Sequence, residues 1–120
     1  MSRIVLIDDE PVLRLTFRHI LERDGHEVWD AEDGRIGVDI CRAKVPDLVI
    51  TDVMMPGQAG LQTVQILKRE YPEMPVIVMT GGAIPKISGL GANDCAYVMK
   101  PVNGPELIKL VHSMLSHSLT

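Results

Sequence analysis

The sequence predicts an α/β domain built on a parallel sheet, doubly wound with helices on both faces. Two observations carry the prediction. Short aliphatic runs end abruptly in polar residues, the pattern of strands buried on both faces. These runs alternate five times with stretches of helical periodicity, the order expected of consecutive β-α units. Of the 120 residues, 46 % are hydrophobic and only 3 % aromatic, so the core is built from Val, Ile, Leu, Met and Ala.

The first run, Ile4-Val5-Leu6-Ile7, stops at Asp8-Asp9-Glu10-Pro11. Pro11 suits the first position of a helix, with an acid just before it as cap. Leu13, Phe17, Ile20 and Leu21 then recur at helical spacing, and Gly25 ends the helix. Glu27-Val28-Trp29 is the second strand, and Ile36, Ile40 and Cys41 mark the second helix. Leu48-Val49-Ile50-Thr51 is the third strand, followed by a helix bearing Leu61, Val64, Leu67 and Tyr71. Val76-Ile77-Val78-Met79 is the fourth strand, and Tyr97-Val98-Met99 the fifth. The last helix opens at Pro105 and carries Leu107, Leu110, Val111 and Met114. Residues 82–93 are rich in helix breakers, with room for only about ten helical residues, so at most a short mobile helix or an irregular loop is expected there.

Composition narrows the function. The formal net charge is −4, and the 12 basic residues are scattered, so direct nucleic-acid binding is disfavoured. Cys41 and Cys95 stand alone, which suits a reducing compartment. The N-terminus turns acidic too early for a signal peptide, and no apolar stretch approaches the roughly 18 residues of a spanning helix. These features predict a single cytoplasmic domain over residues 1–120, without a membrane partner. His19, His26, His112 and His117 show no metal-ligand spacing, the closest pair being five apart. Surface or packing roles are expected for them. Arg14 and Arg18 form an i, i+4 pair expected on a solvated helix face.

In open α/β sheets, ligands bind beyond the carboxyl ends of the strands. Those positions hold Asp8 and Asp9, Asp52, Thr80 and Lys100. Singly, each is an ordinary cap or turn residue. Together, three carboxylates on one edge repel, at about 4 kcal/mol per pair at 4 Å and an effective dielectric of 20. Such a cluster favours a hard cation, and an all-oxygen donor set suits Mg²⁺. Three carboxylates, one Mg²⁺ and the Lys100 ammonium make a neutral pocket suited to phosphoryl transfer, with Asp52 as the nucleophile.

Asp8-Asp9-Glu10-Pro11, Asp52-Val53-Met54-Met55-Pro56 with Gly60, Thr80-Gly81, and Lys100-Pro101 resemble the motifs of the response regulator receiver domain of two-component signalling. The resemblance runs from about Arg3 to Leu115. It implies a flavodoxin-like sheet of order 2-1-3-4-5 and a phosphorylation-dependent signalling switch, not an enzyme acting on other substrates. Asp52 would take a phosphoryl group from a sensor histidine kinase or a histidine phosphotransfer protein. Asp8, Asp9, Asp52 and the Met54 backbone carbonyl would hold Mg²⁺. Lys100 would pair with the phosphoryl oxygens, and Thr80 and Tyr97 would act as the switch residues. The Lys100–Pro101 bond would be cis. With no output domain, the chain resembles stand-alone regulators such as the chemotaxis regulator, a monomer or weak dimer acting on a downstream protein target.

Three departures stand out: Ala59 replaces a common acidic residue, Val102 replaces a common Phe, and the segment between Thr80 and Lys100 is about two residues shorter than the resemblance implies. The rival enzyme reading is a Mg²⁺-dependent phosphatase of the haloacid dehalogenase type. It needs a second Asp two residues after the nucleophile, where this chain has Met54. A nucleotide binder would need a phosphate-cradling Gly-rich loop after the first strand, and Asp8-Asp9-Glu10 would repel phosphate there.

Overall fold

A computed structural model describes residues 2–53, 59–82, 89–91 and 94–118. Its elements are β1 (Arg3–Ile7), α1 (Pro11–Arg23), β2 (Glu27–Ala31), α2 (Gly34–Lys44), β3 (Leu48–Asp52), α3 (Ala59–Glu70), β4 (Val76–Thr80), β5 (Ala96–Met99) and α4 (Gly104–Ser118). All strand pairings are parallel and the order is β2-β1-β3-β4-β5, as expected. The expectation for residues 82–93 falls largely on 83–88 and 92–93, which lie outside the described residues.

Each central strand feeds two cores because successive side chains point to opposite faces. Val5, Ile7, Val49 and Val78 pack with Val38 and Cys41 of α2 and Val64 and Leu67 of α3. Ile4, Leu6, Ile50 and Met79 pack with Phe17 and Leu21 of α1 and Leu107 and Val111 of α4. Burial on both faces explains why β1, β3 and β4 read as unbroken aliphatic runs.

Three local expectations are corrected. Glu10 occupies the N-cap of α1, but its side chain makes no capping bond. Asp8 Oδ1 accepts the Glu10 N–H instead, at 2.9 Å. In α2, Ile36 points outward, while Val38 and Cys41 supply the buried face. Asp33 caps that helix by accepting the Ile36 N–H at 2.9 Å. Arg14 does not lie on a solvated face, and Arg18 is only partly exposed. Arg14 Nε donates to Asp30 Oδ2 at 2.8 Å, and Arg18 Nη1 pairs with Asp30 Oδ1.

The chain leaves α1 through Gly25, whose φ of +96° lies in the region that penalises side chains. Both cysteines are buried and free. Among the described residues, no helix is long and apolar enough to cross a membrane.

Candidate functional site

Parallel pairing places the carboxyl ends of β1, β3 and β4 along one edge of the sheet. Asp52 and Thr80 are the last residues of β3 and β4, not the first beyond them. The backbone therefore holds them firmly: Val53 N–H donates to Met79 O at 3.2 Å, and Lys100 N–H to Thr80 O at 2.8 Å. Asp8 follows β1, and its N–H donates to Ala31 O at 3.0 Å.

This framework gathers the acids. One carboxylate oxygen from each of Asp8, Asp9 and Asp52 lies within 4.8 Å of the other two. Asp8 and Asp52 are buried, at 0 % and 1 % exposure, and Asp9 is half-buried. Lys100 Nζ reaches Asp52 Oδ2 at 2.5 Å. One ammonium among three ionised carboxylates leaves two negative charges over. Burial pushes the Asp8 carboxyl above its ordinary pKa, and the neighbouring Asp52 charge adds to that push, although the bond from the Glu10 N–H opposes it. Burial also works against the Lys100 ammonium, but the hydrogen bond and charge of Asp52 outweigh it and hold that pKa above the lysine range.

The donor set fits a hard dication. Asp8 Oδ2 is buried and has no hydrogen-bond partner among the described residues. Such an atom is costly unless something pairs with it. Among the described residues the candidate ligand atoms gathered here are carboxylate oxygens, and a dication would balance the surplus charge. Met54, the fourth expected metal contact, lies outside the described residues.

The other expected site residues sit around this cluster. Thr80 is 2 % exposed, and its Oγ1 accepts the Gly82 N–H at 3.4 Å, a weak contact. Tyr97 is partly buried against the core beneath α2 and α3. The Lys100–Pro101 peptide is cis.

One contributor was missed by the sequence reading, and a second was noted only as part of a motif. Arg14 Nη1 donates to the Asp8 backbone carbonyl at 2.9 Å, so the Arg14–Asp30 pair also anchors the acidic loop. The available signal was Asp30, an acid within a strand, which needs a partner once half-buried. The other is Gly60 in the first turn of α3. A Cβ there would lie 2.6 Å from Val53 Cα and 3.0 Å from Asp52 O, both backbone atoms that cannot rotate away. Glycine lets α3 approach the strand end that carries Asp52. Gly60→Ala, normally favourable in a helix, is therefore expected to destabilise the fold by about 1–3 kcal/mol. Urea denaturation of the two proteins measures this, and a stability gain would contradict the close approach.

Comparisons with known proteins agree with this geometry. A family model for the response regulator receiver domain matches residues 4–112. The structure of chemotaxis protein CheY4 of Vibrio cholerae is similar, with 26 % identity and a TM-score of 0.84, covering 95 % of this chain and 98 % of that one. A CheY-like receiver domain protein of Methanospirillum hungatei has 28 % identity and a TM-score of 0.88, covering 98 % and 96 %. A receiver domain protein of Clostridium thermocellum has 30 % identity and a TM-score of 0.86, with the same coverage. The match over residues 4–112, on a sheet that brings Asp8, Asp9, Asp52, Thr80 and Lys100 to one edge, means that this chain belongs to the response regulator receiver domain family.

Proposed function

We propose that Asp52 accepts a phosphoryl group from a phosphohistidine on a sensor histidine kinase or a histidine phosphotransfer protein. The charge so gained then alters the surface read by a downstream protein target. The observation that carries this reading is the buried acidic cluster, with its surplus negative charge and its ammonium on Asp52.

Asp8, Asp9, Asp52 and the Met54 carbonyl would hold Mg²⁺. When bound, the ion supplies Lewis-acid neutralisation of charge on the transferring phosphoryl oxygens. In the transfer, a carboxylate oxygen of Asp52 forms the new P–O bond. The P–N bond breaks, its electron pair returning to the imidazole nitrogen, and an acyl phosphate results. Lys100 is held beside the acceptor before transfer, so its ammonium pairs with the arriving phosphoryl oxygens without reorganisation. Thr80, buried at the end of β4, would donate its hydroxyl proton to a phosphoryl oxygen. Tyr97, two strand residues from Met99 on neighbouring β5, would respond as Thr80 is drawn towards the phosphoryl group.

A cavity that could seat the donor lies next to the acceptor. A cavity of about 420 Å³ beside Lys100 is lined by Glu10, Leu13, Phe17, Gly81, Pro101 and Val102. Val12 and Leu15 of α1 are exposed nearby in sequence, at 76 % and 64 %, a feature that suits an apolar partner helix.

The test is chemical. Incubated with Mg²⁺ and a small acyl phosphate donor, the protein is expected to gain one phosphoryl group by intact mass, and none in EDTA. Without the cation, the surplus charge repels the incoming dianion. Equal labelling in EDTA would overturn the metal-dependent reading.

A further inference from the structure

A second cluster of ligating side chains sits at the other end of the molecule, and nothing in the phosphoryl chemistry uses it. Asp24 follows α1 directly, His26 precedes β2, and His112 lies in α4. His26 Nε2 lies 2.8 Å and His112 Nε2 2.7 Å from the same oxygen, Asp24 Oδ2. The three ligand atoms all fall within 4.8 Å of one another. We propose that Asp24, His26 and His112 form a binding site for a divalent transition metal of the zinc class.

The chemistry of the donors sets the class. Two imidazole nitrogens and one carboxylate oxygen form a borderline-soft set, suited to zinc, nickel or copper and poorly suited to Mg²⁺. The acidic cluster at the strands' carboxyl ends is all oxygen and has the opposite preference. The two sites therefore select different ions within one small fold.

The geometry is close to what a metal needs. Tetrahedral bonds of 2.0–2.1 Å place ligand atoms about 3.3 Å apart. The present separations need to widen by roughly half an ångström, which displacing the shared protons by a cation would bring about. His112 can supply the movement, because its side chain is 59 % exposed. His26 cannot move far. Its side chain is only 7 % exposed, and its Nδ1 is buried with no partner among the described residues, so Nε2 is the ring's one polar outlet. The ring planes meet at 73°, so the two nitrogens approach Asp24 from different directions. Asp24 Oδ2 is already the shared partner of both rings. Three protein ligands with an exposed side leave a fourth position for water or for a group from another molecule.

Such a metal would tie the end of α1 and the start of β2 to the last helix. The tie crosses from the first β-α unit to the last element of the fold, at the amino-terminal end of the strands. Its third ligand, His112, lies 88 positions from Asp24, so binding is expected to stabilise the folded state increasingly as metal concentration rises above the dissociation constant.

The 120-residue chain is titrated with Zn²⁺ at neutral pH, with excess Mg²⁺ present to compete at the acidic cluster. One Zn²⁺ per chain is expected, with affinity falling about a hundredfold in His112→Ala. That residue is exposed, so the variant keeps its fold. Co²⁺ serves as a spectroscopic probe: the wild type is expected to show the intense visible bands of four- or five-coordinate cobalt, and His112→Ala the pale spectrum of the hydrated ion. A wild type that takes up no Zn²⁺ at about 100 µM would overturn the proposal. So would a variant that binds Zn²⁺ as tightly as the wild type, or that keeps the wild-type cobalt spectrum.

Discussion

Asp52→Asn is expected to abolish phosphoryl labelling in Mg²⁺ while the protein remains folded. The amide has the size of the carboxylate, so the packing at the end of β3 is retained. It is not a nucleophile, and it removes one of the three charges that gather the cation. Loss of the attacking group removes the covalent step itself, so labelling should fall by at least about a hundredfold and not merely slow. Intact mass after exposure to a small acyl phosphate reads the result. Equal labelling of the two proteins would move the acceptor to another residue, with Asp8 and Asp9 the nearest candidates.

The largest effect on stability is expected at Lys100. Its ammonium contacts a carboxylate that is 1 % exposed, and removing one partner of a buried pair typically costs about 3–5 kcal/mol. The Lys100 side chain retains 21 % exposure, so water screens part of this, and about 2–3 kcal/mol is expected for Lys100→Ala in metal-free buffer. The sign follows from the raised lysine pKa: the pair's contribution is complete at neutral pH and is lost only as pH rises through the folded-state value. Asp8 changes stability in the same direction with pH, but in the acid window. Its raised carboxyl pKa means that ionisation costs stability, which returns as pH falls into the acid range. Urea denaturation of Lys100→Ala, Asp52→Asn and the double variant closes the cycle. The double variant is expected to be less destabilised than the sum, by about 1 kcal/mol or more. Additive losses would mean that the two side chains do not interact energetically.

Much of this molecule was legible because its signals are local. Ile4 to Ile7 and Val76 to Met79 could only be strands covered on both sides, since no polar residue interrupts them. Once the sheet is parallel, every strand delivers its final residue to the same edge. Asp8, Asp52, Thr80 and Lys100 thus became neighbours before any coordinate was known. Glycine at position 60 was noticed as part of a motif, but its reason is a distance of 2.6 Å to a backbone atom of another element.

What the sequence by itself determined was the layering, the parallel sheet and the edge where the acids meet, because periodicity and strand-end chemistry are written within a few residues of each other. Only the tertiary structure decided which distant side chains became partners. Arg14 and Arg18 looked like a solvated basic pair until the docking of α1 on β2 placed Asp30 between them. His26 and His112, 86 positions apart in the chain, had no ligand spacing. They became neighbours only when α4 packed beside the end of α1 and both rings turned to Asp24. Such pairings depend on where whole helices come to rest, and helix placement is set by the summed burial of both cores instead of by any residue that takes part in the pair.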